Sequence, residues 1–107
     1  MIIEGTQLSQ ALIHQIREIV LAQGKISKVV LFGSWATKSA RKNSDIDLAI
    51  FGAALTSADI NFIRSALEEN VKTPLKFDVV HFDTLTKESL RKDILNEGIV
   101  IYESKTY

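Results

Sequence analysis

The stretches Leu31-Phe32-Gly33-Ser34 and Asp45-Ile46-Asp47-Leu48, which ten residues separate, dominate the interpretation of this chain. An apolar run ends at a Gly-Ser pair, and two carboxylates then stand two positions apart in a second apolar run. Alternate side chains of a strand share a face, so a strand over 45–51 places the two carboxylates together, about 7 Å apart at their bases. Like charges on one face repel, and a divalent metal ion is the simplest reason to pair them.

Composition predicts one globular domain over residues 1–107, because the chain is short and has a single proline. Thirteen basic and thirteen acidic residues cancel, which argues against direct binding of nucleic acid. The lack of cysteine excludes disulfides and thiolate metal sites. The N-terminus lacks the features of a signal peptide, and no apolar stretch is long enough to span a bilayer. We therefore expect a cytoplasmic protein that does not contact the membrane.

The periodicity of apolar residues predicts the element order α-β-α-β-α-β-α-β, an α/β fold. Thr6 is a plausible N-cap of the first helix and Gly24 its stop, Pro74 precedes the third strand, and Gly98 ends the last helix. The predicted elements are a helix over 7–23, a strand over 28–32, a short helix or helical turn over 34–39, a strand over 45–51, a helix over 58–70, a strand over 75–82, a helix over 87–97 and a strand over 99–102.

Asp78 is a lone carboxylate in the otherwise apolar third strand. If this strand pairs with the second, Asp78 can lie about 5 Å from the row formed by Asp45 and Asp47. Three convergent carboxylates suit two divalent ions about 3.5–4 Å apart, the arrangement used for in-line displacement at phosphorus. Oxygen ligands favour Mg²⁺, with Mn²⁺ as the alternative ion.

The Gly-Ser pair predicts a phosphate contact beside this metal site. Gly33 allows a ligand to approach the backbone closely, and Ser34 supplies a hydroxyl at the start of a turn whose free N–H groups favour a phosphate. Lys38, Arg41 and Lys42 add positive charge to the loop that follows. The sequence therefore predicts that Gly33 and Ser34 bind a phosphate, while the carboxylates downstream bind the metal ions.

Together, Gly33-Ser34, Asp45-Ile46-Asp47 and Asp78 on a later strand resemble the polymerase-β-like nucleotidyltransferase superfamily. The small size makes the chain most similar to the minimal nucleotidyltransferases that are paired with a helical HEPN-type protein. The resemblance covers nearly the whole chain and implies a small mixed sheet flanked by helices. It also implies that Asp45 and Asp47 hold both metal ions, and that Asp78 completes one metal site and helps to activate the attacking hydroxyl. Gly33 and Ser34 would contact the β and γ phosphates.

The activity implied by this resemblance is Mg²⁺-dependent transfer of NMP, with ATP as the expected NTP and AMP as the group transferred. The expected acceptor is a hydroxyl on a HEPN-type toxin, for which this chain would be the antitoxin. Two alternatives remain open. One is an antitoxin or scaffold that acts by contact without catalysis, and the other is a transferase for small molecules, such as antibiotics, that needs a partner chain for recognition.

The family often carries arginine directly after Gly-Ser, whereas this chain has Trp35. Lys38 or Arg41 could take over the role of that arginine as a phosphate contact, although all three basic residues could equally form a solvated loop. We interpret Trp35 as a packing residue or a partner contact. His81 has the opposite strand parity to Asp78 and should point away from the site. The closing strand could form an edge that pairs with a second copy in a homo-oligomer.

Overall fold

The computed structural model describes residues 8–104. The elements are helix α1 (Gln10–Leu21), strand β1 (Lys28–Phe32), strand β2 (Ile46–Phe51), helix α2 (Ser57–Asn70), strand β3 (Phe77–His81), a short 3-10 helix (Phe82–Thr84), helix α3 (Glu88–Glu97) and strand β4 (Ile99–Glu103). None of the helices in this range is long and apolar enough to cross a membrane.

The strands form one mixed sheet with the order β3-β2-β1-β4. β1 runs antiparallel to both of its neighbours, and β2 runs parallel to β3. The parallel pair has α2 as its crossover, as such a connection requires. β4 lies at one edge of the sheet, as expected of the closing strand. Its pairing with a second copy stays a prediction.

Helices cover both faces of the sheet. Helices α1 and α2 pack through Ile16 and Ile63 onto one face, where they meet buried side chains of β2 such as Leu48. α3 packs through Ile94 onto the opposite face, against Ala49. Because side chains alternate along a strand, Asp47 belongs to the α3 face. The fold therefore matches the expected small mixed sheet flanked by helices.

The helix ends follow the capping chemistry of the sequence. Thr56 caps α2 and forms a reciprocal capping box with Asp59, in which each side chain accepts a hydrogen bond from the other residue's backbone N–H. α1 starts later than expected, because Ser9 accepts a hydrogen bond from the Leu12 N–H and serves as N-cap. The predicted cap Thr6 lies outside the described residues. α1 also ends before Gly24, with Ala22 as its C-cap.

Other segments also differ in their bounds or form from the simplest expectation. Residues 34–38 form hydrogen-bonded turns, the second of the two forms predicted for 34–39, so three α-helices are described instead of four. β3 is shorter than the predicted 75–82, because the ladder starts at Phe77 and the chain turns into the 3-10 helix at Phe82. The expected strand over 45–51 begins one residue later, which leaves Asp45 just before β2.

Candidate active site

The parallel pairing of β2 with β3 brings two of the predicted carboxylates together. Asp47 and Asp78 are direct partners in the register of the two strands. Asp45 lies two residues before Asp47, and its backbone is held at the start of the same ladder by a hydrogen bond from the Ile46 N–H to the Lys76 carbonyl oxygen (2.9 Å). The structure thus places Asp45, Asp47 and Asp78 at the same end of the parallel pair.

The electrostatics of Asp47 show how close these carboxylates are. The pKa of Asp47 is raised from its ordinary value of 3.8 to about 6. Burial is the largest cause, followed by the negative charges of Asp78 and then Asp45, and a side-chain hydrogen bond with Asp78 also contributes. Within residues 8–104, the ion pairs of the structure join other side chains, so no lysine or arginine neutralises these three acids.

Gly33 lies directly against the Asp47 carboxyl. Its neighbour Phe32 is the partner of Asp47 in the antiparallel pairing of β1 with β2. Gly33 has φ +75°, and a Cβ added to it would lie 2.2 Å from Asp47 Oδ2. A glycine is therefore required here both by backbone conformation and by space. This contact joins the Gly-Ser pair to the Asp47 carboxyl, whereas the predicted approach of a phosphate to Gly33 stays a prediction.

The turn after β1 is closed by its own hydrogen bonds. The backbone N–H groups of Ala36 and Thr37 both donate to the Gly33 carbonyl oxygen, each at 3.1 Å, and the Ser39 N–H donates to that of Ser34 at 2.9 Å. Lys38 occupies the left-handed region, with φ 63°. The turn therefore has a defined shape even though it is not a helix.

The basic residues of this loop point into solvent. Lys38 and Arg41 are exposed, and neither forms an ion pair with another residue of the described range. Ser34 is half-buried in the turn. The loop thus presents exposed cations to solvent, whereas Gly33 and Ser34 lie half-buried at its base.

A divalent ion fits the chemistry of this donor set. Carboxylate oxygens are the ligands that Mg²⁺ prefers, and the missing side chain of Gly33 leaves room for the Asp47 carboxyl itself. Within residues 8–104, however, no three acidic or imidazole side chains are already gathered as a ready-made metal cluster. Asp45 and Asp78 are both exposed, so their carboxyls have the freedom to rotate toward a bound ion.

A hollow of about 540 Å³ opens beside Asp45. Its lining combines that carboxylate with two lysines, an amide and an apolar floor: Lys42, Asn43, Asp45, Pro74, Leu75 and Lys76. This hollow is not predictable from the sequence, because its two walls come from loops that are distant in the chain. From the sequence, Pro74 was recognisable only as the residue that precedes the third strand.

The histidines lie away from the carboxylates. His81 Nε2 lies 2.8 Å from the Gly52 carbonyl oxygen, and Asp83 accepts a hydrogen bond from the Gly52 N–H. This contact ties the far end of β3 to the far end of β2. His14 is exposed on α1, beside Glu18. His81 therefore points away from the site, as its strand parity predicts.

Trp35 has a specific contact that sequence reasoning missed. Its indole N–H donates a hydrogen bond to the Ser44 carbonyl oxygen at 3.0 Å. Its ring is half-buried and packs against the core on the α1 and α2 side of the sheet, which confirms the interpretation as a packing residue. The sequence did contain one signal for this contact, namely a large aromatic ring with an N–H donor in an otherwise polar turn.

Comparisons with known proteins agree with this geometry. A family model described as "Polymerase beta, Nucleotidyltransferase" matches residues 14–107. A Methanocaldococcus jannaschii protein, named as a candidate protein adenylyltransferase, is 30% identical over 89 residues, which cover 75% of this chain and 82% of the relative.

Solved structures have the same fold. A toxin–antitoxin crystal structure with AMP-PNP matches with a TM-score of 0.73 at 20% identity, over 87% of this chain and 74% of the solved chain. The structure of a candidate minimal nucleotidyltransferase matches with a TM-score of 0.67 at 27% identity, over 84% of this chain and 92% of the solved one. The family model, the relative and the fold agree, so the chain belongs to the polymerase beta nucleotidyltransferase family and is a nucleotidyltransferase of the minimal type.

Proposed function

We propose that this chain transfers AMP from ATP to a hydroxyl group on a helical HEPN-type toxin, with Mg²⁺ as the required ion, and so acts as an antitoxin. The observation that carries the proposal is the register of Asp47 with Asp78, next to the close approach of Gly33 to the Asp47 carboxyl. This arrangement puts oxygen ligands for a metal ion next to the Gly-Ser turn that would bind the phosphates.

The carboxylates have distinct roles in this proposal. Asp45 and Asp47 bind both metal ions, and Asp78 completes one of the two sites. When bound, the ions neutralise the negative charge that develops on the transferred phosphoryl group. Asp78 is exposed at the edge strand, where it can accept the proton of an incoming hydroxyl. Asp47 is the most buried of the three carboxylates and anchors the metal site.

The reaction follows from these placements. The acceptor oxygen attacks the α-phosphorus of ATP and forms a new P–O bond. The bond from the α-phosphorus to the bridging oxygen breaks on the opposite side, and pyrophosphate leaves. The hydroxyl proton passes to Asp78 and then to solvent. Catalysis depends mostly on alignment and on stabilisation of charge, as is general for phosphoryl transfer.

The turn after β1 binds the triphosphate in this proposal. Gly33 gives the backbone room for the β and γ phosphates, and Ser34 supplies a hydroxyl. Lys38 and Arg41 are exposed and lack ion-pair partners among the described residues, so they are available to the phosphate oxygens. Charge-assisted contacts of this kind are stronger than neutral hydrogen bonds.

The choice of ATP and of a protein acceptor is supported by the relatives. The M. jannaschii relative carries the name of a candidate protein adenylyltransferase, and one structural neighbour is a toxin–antitoxin complex with AMP-PNP. A further neighbour is the MntA-HepT toxin–antitoxin complex, at a TM-score of 0.69 and 20% identity. The hollow beside Asp45 also has room for a ring-sized group next to the reacting centre.

The proposal is tested by incubating the chain with the helical protein encoded beside it, Mg²⁺ and ATP labelled at the α-phosphate. We expect label and one AMP mass to appear on the partner with the wild-type chain, and neither with the Asp45→Ala/Asp47→Ala variant. ATP labelled at the γ-phosphate is the control and should transfer nothing. If the double variant neutralises the partner as well as the wild type does, and no AMP is transferred by either, the catalytic function is wrong and contact alone explains neutralisation.

A further inference from the structure

We propose that Trp35 is a positioning residue for the metal site, because its indole N–H holds the peptide group that precedes Asp45. This inference rests on the proposed function in one respect, namely that Asp45 binds the metal ion. It goes beyond that function by assigning a role to a side chain that touches neither metal nor nucleotide.

The hydrogen bond from Trp35 to Ser44 spans nine residues, from the turn after β1 to the start of β2. The indole ring packs against the core, so the donor is fixed by packing rather than by the loop itself. A rigid donor that contacts a loop carbonyl restricts the loop at that point. The group restricted here is the peptide group that joins Ser44 to Asp45.

Asp45 lies between two peptide groups that are both held. The Ser44 carbonyl before it accepts from Trp35 at 3.0 Å, and the Ile46 N–H after it donates to the Lys76 carbonyl oxygen at 2.9 Å. Since the two peptide planes define φ and ψ of the residue between them, these bonds set the direction of the Asp45 Cβ. Loss of the first bond leaves only the second to orient the carboxylate.

Ser44 has other contacts that close the loop but do not replace Trp35. Its N–H donates to the Arg41 carbonyl oxygen at 3.0 Å, and its Oγ accepts from the Arg41 N–H at 2.9 Å. Both bonds are local and lie within the loop. The bond from Trp35 instead connects the loop to a ring that packs against the core, and therefore helps to fix where the loop delivers Asp45.

Asp45 needs this support because its neighbours repel it. Asp47 lies two residues away, and Asp78 lies on the next strand. Asp45 is exposed, so repulsion would turn its carboxylate toward solvent and away from a shared ion. Groups that orient a metal ligand from outside the coordination sphere typically change metal affinity or activity by about 10–100-fold.

The test removes the N–H and keeps the ring. Trp35→Phe is the genetic variant, and replacement of Trp35 by its benzothiophene analogue keeps the bicyclic shape without the donor. Mn²⁺ binding is measured by calorimetry, and thermal unfolding is recorded in EDTA. We expect both variants to bind Mn²⁺ about tenfold more weakly, while the analogue unfolds at the temperature of the wild type.

Ser27→Ala is the matched control. The Ser27 hydroxyl donates to the Phe51 carbonyl oxygen at 3.1 Å, which is also a side-chain bond to a backbone carbonyl, but at the opposite end of β2. We expect its Mn²⁺ affinity to equal that of the wild type. A general loosening of β2 would lower the affinity of both variants alike.

The outcomes separate the inference from the function on which it rests. If the wild type binds Mn²⁺ and the benzothiophene analogue binds it equally well, the role of Trp35 is wrong and the metal site stands. If Ser27→Ala weakens binding as much as the analogue does, the effect is not specific to Trp35 and the inference is also wrong. If the wild type binds no Mn²⁺ even with ATP, the proposed function fails and takes the inference with it.

Discussion

Asp47 and Asp78 lie directly opposite each other on adjacent parallel strands, with no lysine or arginine paired to either within residues 8–104. Such an arrangement costs stability in the absence of a cation, and the raised pKa of Asp47 reflects that cost. A site that is strained when empty and relieved by a divalent ion is typical of phosphoryl-transfer enzymes.

Asp47→Asn should stabilise the metal-free protein at neutral pH. The folded-state pKa of Asp47, about 6, lies above its ordinary 3.8, so the folded protein binds the proton more tightly and wild-type stability falls as pH rises from about 4 to 6. The full rise in the pKa of Asp47 corresponds to a free energy of about 3 kcal/mol. We expect the variant to gain about 1–2 kcal/mol in free energy of unfolding, because the half-exposed carboxyl is screened by solvent.

Urea unfolding in EDTA at pH 4 and pH 7.5 measures this effect. The asparagine variant should match the wild type near pH 4 and exceed it at pH 7.5. Asp93→Asn, on the exposed surface of α3, is the control and should show no such divergence. An asparagine variant that is less stable than the wild type at pH 7.5 would contradict the claim that the charge of Asp47 destabilises the metal-free protein.

Binding of Mg²⁺ should weaken as pH falls below about 6. The ion needs the ionised carboxylate, and the raised pKa of Asp47 makes a proton compete for the same oxygen atoms in that range. Titration of the free protein with Mg²⁺ at pH 5 and pH 7.5 should show lower affinity at the lower pH, with a proton released on binding. Equal affinity at both values would exclude Asp47 as a ligand.

Gly33→Ala should damage both folding and activity. The new Cβ would lie 2.2 Å from Asp47 Oδ2, and φ +75° disfavours alanine by about 1–2 kcal/mol. Displacement of the Asp47 carboxyl should lower AMP transfer further than the loss of stability explains. Gly24→Ala is a close control, because nothing lies within 4 Å of its added Cβ. Comparable activity in the two variants would show that the contact with Asp47 has no functional role.

Lys38→Gln and Arg41→Gln should raise the KM for ATP about tenfold each, the effect of a lost charged hydrogen bond. The melting temperature should not change, because both side chains are exposed and unpaired within the described range. Lys92→Gln, on the exposed side of α3, controls for a change of net charge. If the KM changes no more in the loop variants than in the control, the two residues belong to a solvated loop.

Much of the fold was predictable from local patterns. Alternation of side chains along β2 and β3 placed Asp47 and Asp78 on one face and His81 on the other, and the structure confirms both placements. Gly33 was recognisable because a glycine at the end of an apolar strand commonly allows a close approach.

The remaining features depend on contacts between distant residues. The bond from Trp35 to Ser44 requires the turn to fold back on the loop, and no periodicity encodes that geometry. The hollow beside Asp45 is built from the loops at 42–45 and 74–76, which meet only after β2 and β3 have paired. Ser9 caps the first helix, and the sequence alone could not single it out because Ser and Thr have similar capping strength.

The central claim is that Asp47 and Asp78 share a divalent ion. Crystals grown with Mn²⁺ and a non-hydrolysable ATP analogue, measured at the manganese absorption edge, locate the ion by its anomalous signal. We predict a peak about 2.1 Å from carboxylate oxygens of both Asp47 and Asp78, with the triphosphate against Gly33 and Ser34. A nucleotide bound there without a metal peak, or a peak that contacts neither carboxylate, would contradict the claim.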